Sequence, residues 1–432
     1  MTVLGLRTNS TGRSYDGLCN LAYLKVENLS YNYVTRFRSV PPGPTDMNQT
    51  DTFRQEVRQW LEANCPESMR SPLTSEADVC WGGRHFEFQS EDQRLWLHRM
   101  AEKGWTAPTW PSEYGGGGLD REQDKILKEE LARVHARSPL LSFGISMLGP
   151  ALLKFGSEEQ KQQHLPAIVR GEIRWAQGYS EPNAGSDLAS LAARCEDRGD
   201  HFILNGSKIW TSYGDLGDWM FCLVRTDFES PKHQGISFVM FDMATPGVST
   251  RPIRLISGKS PFTETFFENV RVEKDQVIGG LNKGWTVAKY LLTHEREMIA
   301  GSGLSSAGTA PVSRTALETL GTADGILRNT PLRADIARFE IDERCLELTI
   351  ERARDEVKAG VSLGAAASMF KYYGTELNMR RQELLMAIGG YDALVWEGEE
   401  SQHSQTPRQW LRSKGNSIEG GTSEIQLNIV AK

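Results

Sequence analysis

The sequence predicts an α+β fold in which a helical segment, a β segment and a second helical segment follow one another. From Asp51 to about residue 170, apolar residues recur every three or four positions, the period of an amphipathic helix. Between about residues 175 and 275, apolar and polar residues alternate, as they do in half-buried strands. The helical period returns after Gly284 and continues toward the C-terminus. The predicted order of segments is therefore α, β, α.

The composition is that of a globular protein with a small-molecule ligand. Of 432 residues, 39% are hydrophobic and 24% are charged, which is ordinary for a chain that buries a large core. The formal net charge is −7, and no block of basic residues is concentrated anywhere. This distribution argues against nucleic acid or an anionic membrane as the main partner.

The cysteines and the apolar runs indicate a reducing compartment and no membrane span. None of the six cysteines belongs to a C-x-x-C pair or lies near histidines, so we expect neither a disulfide framework nor a metal site. No apolar run approaches the roughly 18 residues that cross a bilayer. We therefore expect a cytoplasmic protein that is not integral to a membrane.

Residues 1–46 differ from the rest of the chain. They show no clear period and end in the Pro/Gly cluster "PPGP". We expect them to form a disordered extension. A targeting segment is the alternative, because such segments are rich in arginine and serine and poor in acidic residues, a composition met here only in part.

Local signals define elements in the first two segments. The sequences "SEDQ" at 90–93 and "SEEQ" at 157–160 predict capping boxes, in which a serine N-cap and a glutamine three residues later satisfy each other's backbone donors. The run "HFILNGSKIWTS" predicts a hairpin with an Asn-Gly turn. Residues 301–310 and 398–406 are rich in small and polar residues and are predicted to be loops.

One carboxylate interrupts the apolar face of a predicted helix after Gly284. Trp285, Ala288, Leu292 and Ile299 fall at helical intervals, and Glu295 occupies the gap in that stripe. A carboxylate on a buried face costs several kcal/mol unless it is paired, neutralised or used. Glu295 is therefore a candidate functional residue.

The densest polar motif is "WAQGYSEPNAGSDLASL" at residues 175–191, followed by "LNGSKIWTSYGD". Hydroxyls, an amide and glycines surround a proline, a composition that directs many backbone N–H groups and hydroxyls toward one place. Such a loop suits a polar, partly anionic ligand. Taken alone, the motif also fits an ordinary turn, and Trp210 fits an ordinary core tryptophan.

Five segments in order resemble those of the acyl-CoA dehydrogenase family: "YSEPNAGSD", "NGSKIWTS", "HEREMIAG", "RRQELLMAIGGYDAL" and "SIEGGTSEIQLNIVAK". The resemblance covers about residues 51–432. It implies a helical domain over 47–172, a β-barrel-like or β-sandwich domain over 173–280 and a four-helix bundle over 281–432. It also implies bound FAD and a dimer or tetramer, formed with identical or different subunits.

The resemblance assigns roles to individual positions. Ser186 is expected on the CoA side, Trp210 against the isoalloxazine, and Ser212 near flavin N5, where a hydroxyl can stabilise the reduced form. Arg296 is expected to contact substrate. The full set of implied cofactor residues is Gln177, Tyr179, Ser180, Trp210, Ser212, Gly389, Gly390, Thr422 and Glu424.

The resemblance also restricts the catalytic base. Family members carry it either immediately before Gly-Thr in the C-terminal signature or before an arginine on the first bundle helix. The first slot is Gly420 here, and the second is Glu295. Glu419, one residue from the usual slot, is a weaker alternative because a shift of one residue redirects the side chain.

Two departures concern the cofactor. An Arg-x-x-Phe-Gly motif, which holds the FAD pyrophosphate of a neighbouring subunit in the family, is absent after residue 310, and Met386 replaces the usual glutamine before the glycine pair. The sequence therefore leaves the FAD contacts between subunits unassigned.

The implied reaction is α,β-dehydrogenation of an acyl-CoA, with Glu295 as base, flavin N5 as hydride acceptor and an electron-transferring flavoprotein as electron acceptor. Two alternatives stay open: a flavin monooxygenase or oxidase on the same scaffold, and a partner subunit of a hetero-oligomeric acyl-CoA dehydrogenase. The length, branching and ring content of the acyl group are not determined by the sequence.

Overall fold

The computed structural model describes residues 44–71, 73, 78–292, 310–358, 361, 363–397 and 405–432. The chain divides into two compact units, Met1–Trp60 and Leu61–Lys432. In the first unit the described residues form most of helix α1 (Pro44–Asn64), which continues into the second unit. Everything that follows concerns the second unit.

Among the described residues, four further α-helices follow α1 and precede the sheet: α2 (Glu91–Glu102), α3 (Arg121–Arg133), α4 (Gly149–Phe155), which follows a π-helical turn, and α5 (Glu158–Val169). The capping box predicted at Ser157 and Gln160 is confirmed, since each side chain accepts from the backbone N–H of the other residue. At the start of α2, the Ser90 hydroxyl accepts from the Gln93 N–H. The Gln93 side-chain oxygen, however, accepts from the Gln89 N–H rather than from the Ser90 N–H. The reciprocal box predicted there is wrong.

Eight strands follow and share one sheet. They are β1 (Trp175–Gly178), β2 (Arg194–Asp197), β3 (His201–Ser212), β4 (Trp219–Arg225), β5 (Ile236–Asp242), β6 (Val248–Ile253), β7 (Phe262–Glu273) and β8 (Val277–Ile278). The strand order is β6-β7-β3-β2-β4-β5-β8, and β1 pairs in parallel with β4. The long strands β3 and β7 form the antiparallel centre of this arrangement.

The predicted Asn-Gly hairpin is wrong, because Asn205 and Gly206 lie inside the continuous strand β3. The register with β7 shifts between Leu204 and Gly206, which marks a bulge. Gly206 has φ +140°, and a Cβ at this position would lie 2.9 Å from Cα of Ala193. The glycine therefore permits close approach of β2 rather than a chain reversal.

Helices return after the sheet. They are α6 (284–292), α7 (Val312–Leu320), α8 (Thr330–Lys358), α9 (Ala366–Gly389), α10 (Gln405–Ser413) and α11 (Ser423–Val430). The predicted loop at 398–406 is wrong at its end, since Gln405 and Thr406 already belong to α10. Residues 301–309 of the other predicted loop lie outside the described residues.

The buried stripe of α6 is Val287, Ala288 and Leu291. Trp285 and Leu292, which the sequence placed in the stripe, are half-buried and pack at its edge. The stripe is therefore rotated slightly from the predicted one.

Three main cores stabilise the described residues, and one of them lies within the sheet, with Phe241 and Phe267 among its members. Another joins the helices to the sheet and includes Trp110, Leu165, Phe221 and Leu291. A separate core fills the helical C-terminal region, with Phe339 and Phe370 among its members. The predicted fold class, helices followed by a sheet and then helices, is confirmed, while the exact domain boundaries stay predictions. Within the described ranges, no helix is long and apolar enough to cross a membrane.

Candidate functional site

A buried ion pair shapes the start of the "YSEPNAGSD" loop. Lys208 on β3 is fully buried, and its Nζ donates to Oε1 of Glu181 at 2.8 Å and to the Tyr179 carbonyl at 3.1 Å. The Glu181 carboxylate also accepts from the N–H groups of Ala192 and Ala193, at 2.6 and 2.9 Å. A buried pair with its remaining polar atoms satisfied holds one geometry. Both ends of the loop are thereby fixed to β3.

Ser180 lies at the fixed end of this loop and Ser186 at its outer turn. The Ser180 carbonyl accepts from the Ile209 N–H at 2.9 Å, which brings Ser180 beside Trp210. Ser186 is exposed. Its neighbour Asp187 pairs with Lys232 at 2.5 Å. The loop thus runs from Ser180, which is held beside β3, to the molecular surface at Ser186.

Trp210 has an unusual backbone and an unusual exposure. Its φ of +62° falls in the left-handed region, at a second bulge of β3 where the register shifts between Lys208 and Thr211. Such a conformation costs a bulky residue on the order of 1–3 kcal/mol. The residue is 51% exposed, with one ring contact to Phe262 at 6.0 Å between centroids. A core tryptophan is therefore the wrong interpretation, and the bulge presents an aromatic face outward.

Phe262 connects the end of β3 to the C-terminal region. It pairs across the sheet with Ser212, whose side chain is half-buried. The guanidinium carbon of Arg412 lies 5.6 Å from the Phe262 ring, and Arg412 Nη2 donates to Glu419 Oε2 at 2.7 Å. Trp210, Ser212 and the segment after α10 are thus neighbours in space.

The loop between α10 and α11 is fixed by a second buried lysine. Lys371 on α9 donates to the carbonyls of Asn416 and Gly421 at 2.9 and 2.8 Å, and its burial lowers the pKa of its ammonium group. Gly420 and Gly421 have φ values of +62° and +88°. The slot that holds the base in many family members is therefore in a backbone conformation that favours glycine.

Thr422 and Glu424 form the first turn of α11. The Thr422 hydroxyl accepts from the Ile425 N–H at 3.2 Å as the N-cap. The pKa of the Glu424 carboxyl is lowered by its own backbone N–H and by the Thr422 hydroxyl. Both residues have a structural role in this helix start, and their predicted contact with the cofactor stays a prediction.

Gly389 and Gly390 end α9. A Cβ on Gly389 would lie 2.6 Å from Cβ of Ala393, and Gly390 has φ +55° and ψ −129°, a conformation that favours glycine. Along α9 the pair lies about 9 Å from Glu383, which binds Lys414, and about 27 Å from Lys371. Along α9, the glycine pair therefore lies closer to the residue that binds the start of the α10–α11 loop, at Lys414, than to the one that binds its end, at Gly421.

Gln177 and Tyr179 lie at and just after β1. Gln177 is half-buried. The Tyr179 ring is buried and meets the rings of Phe221 and Phe238 edge-on at 6.1 and 6.3 Å. The ring of Tyr179 is therefore a core element, and its backbone carbonyl takes part in fixing the loop.

Glu295 and Arg296, the predicted base and substrate residue, lie outside the described residues. Helix α6 is described as far as residue 292, and Leu291 is the last of its described residues to be fully buried.

Sequence reasoning missed the residues that hold the site together. Among the described residues, Lys208 and Lys371 are the buried lysines, and Phe262 and Arg412 connect the two loops. A signal for Lys208 was present, because it falls on the inward phase of β3 with Phe202 and Leu204. No comparable sequence signal identifies the contact between Phe262 and Arg412, which are 150 residues apart.

These residues suit a planar aromatic cofactor. An exposed indole on a strained bulge supplies a flat apolar surface, and the hydroxyls of Ser180 and Ser212 lie on the segments beside it. In the described part of the chain, no group of three His, Cys, Asp or Glu side chains is arranged to hold a metal ion.

Comparison with known families assigns the three segments separately. Residues 48–172 match the acyl-CoA dehydrogenase N-terminal domain, residues 176–270 the middle domain and residues 282–432 the C-terminal domain.

Individual relatives cover almost the whole chain. The chain is 33% identical to "Acyl-CoA dehydrogenase IpdE1" of Mycobacterium tuberculosis over 400 residues, which is 89% of this chain and 97% of that protein. The structure "Tcur3481-Tcur3483 steroid ACAD" is similar with a TM-score of 0.69 and 31% identity, covering 89% of this chain and 96% of that one. The ChsE4-ChsE5 complex from Mycobacterium tuberculosis is similar with a TM-score of 0.66 and 28% identity, covering 91% and 97%.

Proposed function

Because the chain belongs to the acyl-CoA dehydrogenase family, whose members are FAD-dependent oxidoreductases, we propose that it oxidises an acyl-CoA thioester to the trans-2-enoyl-CoA. The observation that carries this proposal is the exposed Trp210 on its left-handed bulge, with Ser180 and Ser212 beside it. Strain of this kind persists where the surrounding structure enforces it, and it concentrates at functional sites.

Trp210 and Ser212 would hold the flavin of FAD, Trp210 through its exposed ring and Ser212 through its hydroxyl. When bound, FAD supplies the acceptor for the β-hydrogen, which leaves the substrate as hydride. The Glu295 carboxylate takes the α-proton, and the electron pair of that C–H bond becomes the new C=C bond. The thioester carbonyl, by accepting hydrogen bonds, makes the α-proton acidic enough for a carboxylate base to remove it.

The surroundings of Glu419 support Glu295 as the base. Glu419 accepts from Arg412 at 2.7 Å and from the Asn416 amide, so its carboxylate is engaged in fixing the loop. The sequence predicts that the helix of Leu291, the last fully buried residue among the described part of α6, continues through Glu295, four positions or about one turn further on.

The variant Glu295→Gln tests this assignment. We expect it to fold and retain FAD but to reduce the flavin at least a hundredfold more slowly when acyl-CoA is added anaerobically, because an amide cannot accept the α-proton. Glu297→Gln and Glu419→Gln are the matched controls and should keep near-normal rates. Rapid flavin bleaching in Glu295→Gln would refute the role of Glu295.

The relatives support a bulky acyl group. One structural relative is named a steroid ACAD, and we propose that this chain also accepts ring-bearing or branched acyl-CoA substrates. Anaerobic titration with straight-chain, branched and ring-bearing acyl-CoAs, followed by flavin absorbance, measures this preference. Preferential reduction by straight-chain acyl-CoAs would contradict it.

We propose a dimer or tetramer, in which identical or different subunits assemble, and an electron-transferring flavoprotein as acceptor. One structural relative is named as a complex of two proteins, ChsE4 and ChsE5. Apolar side chains of the C-terminal region are exposed in this chain, with Tyr391 at 91%, Ile418 at 66% and Leu394 at 63%. If the chain purified alone is colourless, an obligate partner is indicated. Rapid oxygen consumption during turnover would favour the oxidase or monooxygenase alternative.

A further inference from the structure

A buried arginine lies close to Ser212 without an ion-pair partner. Arg174 immediately precedes β1 and is only 9% exposed. Its guanidinium carbon lies 4.7 Å from the centre of the Trp81 ring and 5.1 Å from that of the Tyr213 ring. Within the described ranges, its side-chain nitrogens form no hydrogen bond and no ion pair, and each keeps a solvent-accessible face. The cation is therefore stacked on aromatic rings with its donors available to an anion.

The acidic groups near Arg174 do not neutralise it at close range. Burial lowers the pKa of its guanidinium, and the smaller effects of Tyr213, Asp215 and Asp218 oppose this. In the described part of the chain, neither carboxylate forms an ion pair with the guanidinium. Asp218 Oδ2 instead accepts from the backbone N–H groups of Arg84 and Arg174, at 2.9 and 2.8 Å. Asp218 thus fixes the backbone of Arg174 and leaves its side chain unpaired.

An unpaired charge in the interior is costly. Stacking on aromatic rings offsets only part of the free energy lost when a guanidinium leaves water, and its five N–H donors then lack acceptors. Groups of this kind concentrate at functional sites. A ligand that supplies an anionic acceptor explains why Arg174 is kept at this position.

The backbone holds both rings against the guanidinium. Tyr213 has φ +47°, in the left-handed region, and its N–H donates to the Pro261 carbonyl at 2.8 Å. This conformation is strained for a tyrosine, so the surrounding structure must enforce it. On the other side, a Cβ on Gly83 would lie 2.7 Å from Cβ of Arg174, so this glycine lets the segment after Trp81 approach β1 closely. The stacked arrangement is therefore constrained from two sides.

Arg174 is within reach of a substrate at the flavin. Tyr213 directly follows Ser212, so a single tyrosine side chain spans the gap between Ser212 and the guanidinium. The Phe143 ring extends the aromatic wall, at 5.8 Å from the Trp81 ring. An acyl group that begins beside Ser212 can therefore run along these rings and end at the guanidinium.

We propose that Arg174 binds a carboxylate at the far end of the acyl group, so that the substrate is the CoA thioester of a dicarboxylic acid. A guanidinium binds a carboxylate through two parallel N–H···O bonds, and aromatic walls that exclude water strengthen them. The inference rests on the proposed acyl-CoA reaction and narrows its substrate class. Arg174 is then a specificity-determining residue that contacts the end of the substrate opposite to the reacting bond.

The test measures binding to the flavin-loaded protein by calorimetry. The probes are the CoA thioethers carboxypentyl-, carboxyheptyl- and carboxynonyl-CoA and their methyl esters, which lack the thioester carbonyl and so bind without being oxidised. At the chain length that reaches Arg174, the wild type should bind the acid about tenfold more tightly than its ester, the effect of hydrogen bonds to a charged group. In Arg174→Gln this ratio should fall to about one. Arg174→Lys keeps the charge but not the paired donors and should give an intermediate ratio.

A neighbouring arginine provides the matched control. Arg84→Gln removes a guanidinium that pairs with Asp242 at 2.6 Å, while its backbone N–H still binds Asp218, so the wild-type ratio should be kept. Flavin absorbance of each purified variant shows that it has folded. An acid-to-ester ratio of about one in the wild type at every chain length would overturn the proposal. So would equal weakening of acid and ester in Arg174→Gln, which would indicate a packing role alone.

A separate arm identifies the source of the carboxylate. Acetate added to the wild type should not make the ester probes bind as tightly as the acids. If it does, the site takes a free carboxylate and the dicarboxylic substrate is refuted.

These outcomes are distinct from failure of the proposed reaction. If the acid probes bind with the expected dependence on Arg174 but no acyl-CoA reduces the flavin, the reaction is wrong and the carboxylate site holds. If acyl-CoA reduces the flavin and the acid probes show no preference over their esters, only the carboxylate site fails.

Discussion

At the scale of single residues, the site depends on two lysines that carry charge into the interior. Lys208 and Lys371 are fully buried, and each is satisfied by oxygen atoms from a loop that it fixes. Removing one partner of a buried pair leaves the other charge without compensation, and this costs more than losing the same pair at the surface. The two lysines are therefore structural residues of a functional site.

Replacement of Lys208 tests the buried ion pair. Lys208→Met should lower the free energy of unfolding by about 3–5 kcal/mol, because Glu181 is left buried without its cation. Urea denaturation measures the change. Lys232→Met, which breaks an exposed pair in the same loop, should cost under about 1 kcal/mol. Similar losses in both variants would contradict a special role of the buried pair.

At the scale of elements, irregularities in strand β3 shape the candidate site. β3 contains two register shifts, one at Gly206 that admits β2 and one before Thr211 that exposes Trp210. The period-two pattern predicted strand in this region correctly. The pattern could not distinguish a turn from a bulge, because Asn-Gly occurs in both. The choice depends on how β7 and the residue before β2 pack against this part of β3.

The loop between α10 and α11 gives a prediction at this scale. Lys371→Met should leave the carbonyls of Asn416 and Gly421 without a donor, at about 1–3 kcal/mol each, and loosen residues 414–422. Hydrogen exchange of this loop should accelerate and FAD retention should fall. Lys414→Met, which removes an exposed contact to Glu383, is the control. Unchanged exchange of the loop in Lys371→Met would exclude this role.

At the scale of the whole molecule, the helices before the sheet and the sheet itself share one core, and they meet at a buried histidine. His164 on α5 is fully buried, and its Nε2 lies 2.9 Å from Oε1 of Gln276, just before β8. Burial lowers its pKa from the usual 6.5, against the smaller opposing effects of Gln276 and Asp275. The folded state therefore holds His164 neutral.

The sign of the resulting pH dependence follows from this shift. Well above pH 6.5, His164 is neutral in both the folded and the unfolded chain, so its titration does not change the free energy of unfolding. As the pH falls below 6.5, the unfolded chain takes up a proton that the folded chain resists, so stability decreases. Between pH 7 and 5 the wild type should lose more stability than His164→Asn, measured by urea denaturation. His98→Asn, at an exposed position, should behave as the wild type.

The sequence by itself determined the order of helical and β segments, the family and the residue types of the site. Periodicity and local motifs record which face of an element is buried, and these are properties of neighbouring positions. Only the tertiary structure decided that Asn205-Gly206 is a bulge, that Trp210 is exposed and that Glu419 is held by Arg412. Each of these depends on groups far apart in the chain, such as Phe262 with Arg412, and no local pattern encodes such a contact.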